Sequence, residues 1–136
     1  MGLIISSLAS ASATSAETDF VKQVWPIIQE SCLKCHGASY VNERGRTKEA
    51  KSGLRLDSPE RIMKGSENTD KIIVPKKPEE SLFYKRIILP EDDIDVMPSK
   101  GPLLTQEQIE IIKKWITEGA KFGDWKGLPE NYEHKK

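Results

Sequence analysis

The chain has 136 residues, 37% of them hydrophobic, and its 21 basic residues balance 21 acidic ones. That length suits one modest domain with a rather small core, which a staple or a bulky apolar ligand would help to stabilise. A neutral balance excludes the concentrated basic face of a nucleic-acid partner, so none is expected. No stretch reaches the roughly 18 apolar residues of a membrane span, and a soluble mature protein is expected.

The opening stretch MGLIISSLASASATSA, residues 1–16, carries no charge and ends in small residues, with Ala-x-Ala at Ala11 to Ala13 and Thr-x-Ala at Thr14 to Ala16. It reads as a secretory signal cut near Ala13 or Ala16, which places the mature protein in the periplasm or otherwise outside the cytoplasm; the alternative is a Ser/Ala-rich leader, since a basic n-region is missing. From Asp19 onward, Phe20, Val24, Ile27 and Ile28 form the apolar stripe of a helix that runs toward Cys32. Pro26 lies inside it and removes a backbone donor, so a kink or irregular early turns are expected. Residues 37–53 are polar and punctuated by glycine, which reads as a loop. In SPERIMKGS, Ser58 is a candidate N-cap and Pro59 the first helical residue of a short helix ending before Gly65. KPEESLFYKRIIL repeats the device, with Leu82, Phe83, Arg86 and Ile87 at helical spacing. Thr105 and Gln108 form a capping box, and Ile109, Ile112, Trp115 and Ile116 line a helix ending near Gly119. No segment sustains strand alternation, so the expected class is all-α with substantial loop.

Two charge runs stand out: Arg44, Arg46, Lys48, Lys51 and Arg55 in the middle, and Glu91, Asp92, Asp93 and Asp95 later. Both read as solvated loops unless a site lies beside them.

The chain contains two cysteines and two histidines, and three of these four residues fall in Cys32-Leu33-Lys34-Cys35-His36. C-x-x-C-H is the attachment signature of a c-type haem. The spacing lets two thiols reach the vinyl groups of one porphyrin edge while the adjacent imidazole turns onto the iron. A zinc site would have to recruit His134 without any second-pair spacing. A redox dithiol would follow a strand of a βαβ unit, whereas a helix precedes Cys32. A disulfide across two intervening residues would close a tiny loop of little value. One covalent haem c, held through Cys32 and Cys35, is the expected cofactor.

The ordered segments VWPIIQESCLKCHG, SGLRLDS, IIVPKKPEESLFYKRI and DVMPSKGPLLTQEQIEIIKKWITEGA resemble the planctomycete-type cytochrome c domain family over roughly residues 20–120. The resemblance implies a domain at 20–120 and a cytochrome c-like fold of about four to five helices and long loops around one haem. It further implies crossed first and last helices, His36 as proximal ligand and Met97 as distal ligand. The chain departs from the family at VNERGRTKEAK and at the C-terminal tail 121–136, either of which could carry a partner-specific contact. Within this frame Leu54 and Leu56 pack on the haem, or are ordinary core leucines. Arg55 and Arg86 hold propionates by charge-assisted hydrogen bonds, or are solvent-exposed arginines. Trp115 packs the last helix on the first. Met97 stands in a loop before Pro98 without apolar periodicity, whereas Met63 fits a short helix and His134 a polar tail.

An iron held by His and Met on opposite faces has no open position for substrate, and the thioether favours the reduced state. The expected function is therefore that of a monohaem single-electron carrier between redox proteins, meeting them transiently and without catalytic activity of its own. The rivals are a haem enzyme or gas sensor with an open distal face, and an electron-entry module that docks to a larger oxidoreductase.

Overall fold

The computed structural model describes residues 16–69 and 71–134. The leader reading therefore lies, apart from residue 16, outside the described residues. The chain enters at Asp19, whose carboxylate accepts from the Lys22 amide at 3.1 Å, and forms a wide π-helical turn over Phe20–Val24. This turn runs directly into α1, Trp25–Ser31, with Pro26 in its first turn. The missing N–H of Pro26 is the physical reason for the wide turn: the register shifts so that the Trp25 amide donates to the Phe20 carbonyl.

The expected all-α class does not hold. Tyr40–Val41 (β1) and Thr47–Lys48 (β2) pair antiparallel, with Tyr40 opposite Lys48 and Val41 opposite Thr47. The turn between them is built by Asn42, whose side-chain oxygen accepts from the amides of Arg44 and Arg46 at 3.0 Å each. Gly45 completes it in the left-handed region at φ 70°. Strands of two residues are too short to show alternation, which is why residues 37–53 read as plain loop. The α-helices of the described residues are four and mostly short, α2 being Pro59–Lys64, α3 Leu82–Ile87 and α4 Gln106–Thr117. None is long and apolar enough to cross a membrane.

The N-terminal signals act as the residues suggest. Ser58 accepts from the Arg61 amide at 3.2 Å to cap α2, and the reciprocal Thr105–Gln108 box caps α4. Before α3 the cap is replaced by a buried hydroxyl: Ser81 Oγ accepts from the Val74 amide and donates to the Lys77 carbonyl, both at 2.9 Å. Ile72 and Ile73 are thereby held beside α3, where the Phe83 amide donates to the Ile72 carbonyl at 3.0 Å.

Val24, Ile28, Leu56, Ile62, Ile73, Ile112, Trp115 and Ile116 make the fully buried heart of the core. The first turn packs on α4 through Phe20 and Trp115, whose ring centroids are 5.3 Å apart. Residues 121–134 add to this core. Phe122 and Trp125 lie 4.9 and 4.8 Å from Phe20, and Trp125 lies 4.7 Å from Trp25. The Trp115 indole N–H, buried, donates to the Lys121 carbonyl at 2.7 Å.

Candidate haem site

α1 ends where the cysteines begin. The amides of Cys32 and Leu33 both donate to the Ile28 carbonyl at 2.9 Å, and the His36 amide donates to the Cys32 carbonyl at 3.0 Å. The five residues thus form one tight turn pinned by Leu33, which is buried, with Lys34 in solvent. Both thiols are free. Burial, reinforced by the neighbouring Cys35, pushes the Cys32 thiol up to about 12.

The segment 51–56 laces onto this turn. The Lys51 amide donates to the Cys35 carbonyl at 2.9 Å and the Leu56 amide to the His36 carbonyl at 2.8 Å. Inside that lacing, His36 Nδ1 is buried and makes no hydrogen bond. Burial lowers the imidazole's proton affinity; the backbone of Leu54 and Lys51 approaches the ring and opposes the shift without reaching hydrogen-bond geometry, while the Lys51 charge adds to it. A neutral imidazole with an unspent buried nitrogen is the form that binds a metal and that keeps a second nitrogen free for an orienting partner.

Cys32, His36, Leu54, Leu56, Arg86 and Met97 converge on one cleft, joined by Leu82, Phe83 and Ile87 of α3 and by Ile72. Met97 is placed by its amide, which donates to the Arg86 carbonyl at 3.1 Å. Ser52, Ser66, Asn68 and Thr69 add polar groups to the lining. Cys35 does not line the cleft and stands half-buried beside it. Arg55 does not reach it either. Its guanidinium donates twice to Asp57 Oδ2, at 3.0 and 2.7 Å, and Asp57 is completely buried. Arg86 does line the cleft and faces Asp95 at 3.6 Å. Met63 packs on the core away from the cleft, and His134 contacts the Ala38 carbonyl.

A haem fits what is there. An imidazole and a thioether are available as iron ligands, much of the lining is apolar, and its polar side chains would solvate charged propionates. Among the described residues no cluster of His, Cys, Asp and Glu gathers to hold a bare metal ion.

A comparison of the sequence with protein families matches residues 32–101 to Planctomycete cytochrome C, which takes in more than half of the chain. The chain belongs to the planctomycete cytochrome c family. No curated protein and no solved structure matches it. Membership in this cytochrome c family supports haem binding and electron transfer. The family match begins at Cys32 and closes at residue 101, so every residue that lines the cleft of this cytochrome lies within the matched segment.

Several site residues were not legible beforehand. Phe83 and Ile87 sit one turn apart on α3, and their helical spacing was visible although their target was not. Ser66, Asn68 and Thr69 come from a polar loop with no periodicity, and Asp57 carries no mark of its burial in the local pattern.

Proposed function

We propose that this cytochrome is a monohaem electron carrier, with the haem joined to Cys32 and Cys35 and its iron held by His36 and Met97. The observation that carries the reading is the convergence of Cys32, His36 and Met97 on one cleft, with the other described methionine, Met63, elsewhere. When bound, the haem supplies a one-electron couple. The residues of the chain do the rest: His36 offers a neutral imidazole, Met97 a soft sulfur that favours the reduced state, and the walls from α3 limit water. Both axial positions are then filled from the chain, which leaves no substrate position and no catalytic role.

Docking falls to the loop before Met97. Glu91, Asp92 and Asp95 are exposed, and Ile94 between them is 94% exposed. A basic redox partner would be steered there by charge and would meet the cleft beside the distal ligand. Thioether formation belongs to assembly outside the cytoplasm, which agrees with the leader-like first residues.

The deciding experiment is mass spectrometry of the purified, denatured protein. One haem of added mass, resistant to acid acetone, supports the reading; an apo mass ends it. Rapid binding of carbon monoxide by the reduced protein at neutral pH would replace the carrier with a haem of open distal face.

A further inference from the structure

Residues 121–134 lie beyond the family match, which ends at residue 101, yet their end returns to the segment that follows His36. We propose that Tyr132 and His134 are positioning residues for the His36 side of the haem site, acting as a strap through the peptide of Ala38. The inference rests on the haem reading given above.

Both polar groups of Ala38 are taken by this strap. Its N–H donates to Tyr132 Oη at 2.9 Å, and its carbonyl lies 2.6 Å from His134 Nε2. A carbonyl only accepts, so the second contact requires the proton on Nε2. Gly37 is buried beneath the pair, and a Cβ there would collide with Tyr132 Oη and come within 2.9 Å of His134 Cε1. The rings are seated against one another, His134 lying 5.1 Å from Tyr132 and 4.9 Å from Tyr40. The strap therefore closes over a backbone that has no side chain to keep it away.

Its other end is fastened to the segment that holds His36 from within. The Leu128 amide donates to the Asp57 carbonyl at 2.7 Å, and Gly127, at φ 92°, lies so close to Ser58 that a Cβ would clash there. Arg55 and Arg61 both reach Glu130, at 3.4 Å each, while holding Asp57. Residues 35–38 are thus gripped from two directions: Lys51 and Leu56 take the carbonyls of Cys35 and His36, and Tyr132 and His134 take the peptide groups of Ala38. A plain tether would be complete with Phe122, Trp125 and Leu128 in the core; it would not need two directed hydrogen bonds on one residue two positions from an axial ligand. Fixing that backbone fixes the imidazole's orientation and keeps water from its side of the site, and both are levers on a haem's potential.

The test uses the full-length, haem-loaded protein and the variants Tyr132→Phe, His134→Ala, the two combined, and His134→Gln. Each is read by haem mass, midpoint potential, the electron paramagnetic resonance signal of the oxidised form, and thermal midpoint. The expected result is full haem loading throughout, a lowered potential and a shifted, broadened signal in the combined variant, and smaller shifts of the same sign in each single one. His134→Gln should recover most of the wild-type signal, because its amide can donate to the Ala38 carbonyl. A combined variant whose potential and signal match the wild type, with the thermal midpoint alone lowered, overturns the strap and leaves the haem reading standing. A wild-type protein without covalent haem overturns both.

Discussion

The Leu56 amide donates to the His36 carbonyl at 2.8 Å, joining two motifs that are 20 residues apart in the chain. The same leucine is 2% exposed and lines the cleft with its side chain. One residue thus fixes the backbone of the proposed proximal ligand and forms part of the wall in front of it. Leu56→Ala keeps the amide and removes the wall. It should cost about 2–5 kcal/mol by the usual cavity penalty, measured as a lower denaturation midpoint at unchanged slope, and should leave covalent haem content intact. A loss below about 1 kcal/mol would mean the site collapses freely and that Leu56 is no wall.

Met97→Ala should abolish the methionine-to-iron charge-transfer band of the oxidised protein, lower its potential and open it to carbon monoxide. Met63→Ala should change none of these and cost roughly 1–2 kcal/mol of packing, as expected for a half-buried methionine. Spectra in which the two variants exchange roles would remove Met97 from the iron.

Asp57 is a completely buried carboxylate held by Arg55 at 2.7 Å and Arg61 at 3.3 Å. Removing one partner of such a group strands the others, so Asp57→Ala should cost about 3–5 kcal/mol. Chemical denaturation gives the value. A cost indistinguishable from that of an exposed aspartate would show that the arginines are adequately served by solvent and Glu130.

Glu118 accepts from the Thr18 amide at 2.9 Å, and this contact with Thr18, more than the nearby Lys114 and Lys121, holds its carboxyl below the usual glutamate value of 4.5. A depressed folded-state value means that the unfolded chain takes up the proton first as pH falls. The contribution is therefore present above pH 4.5 and lost as pH drops through the lower folded value. Thermal midpoints should decline more steeply on that acid limb in the wild type than in Glu118→Gln. Parallel limbs would show that the bond to Thr18 does not distinguish the charged form.

Electron transfer with a basic partner should slow with added salt and slow again in the Asp92→Lys, Asp93→Lys variant, because charge steering is screened by the first and reversed by the second. Stopped-flow rates indifferent to both would return the acidic loop to ordinary solvated surface.

What could be read from the residues beforehand follows the range over which each signal acts. The caps of α2 and α4 and the disturbance at Pro26 depend on neighbours within a turn, and all three appear as written in the chain. Cys32 and His36 stand out by a spacing of the same short range, and both line the cleft. The hairpin at residues 40–48 was missed because strands of two residues have no period to detect; only Asn42 and Gly45, turn-forming residues in a polar run, hinted at it. For Arg55 the residues leave a haem propionate or solvent as its partner, and the structure gives it neither in the main: Asp57, two positions on, takes both its Nε and its Nη2. The role of residues 121–134 depends on contacts about a hundred positions distant, and an aromatic residue among polar ones does not announce where it will land.

All three tryptophans of the chain, Trp25, Trp115 and Trp125, belong to the single aromatic stack around Phe20. Intrinsic fluorescence is thereby a one-channel optical gauge of the seam where Phe20 and Trp25 meet Trp125. No tryptophan lines the cleft, so emission that brightens when the haem is present but the seam loosens would report distance from the quenching porphyrin. A fluorescence-detected melt would then time the release of the tail independently of the visible absorbance, which would time the loss of the proposed sulfur ligand.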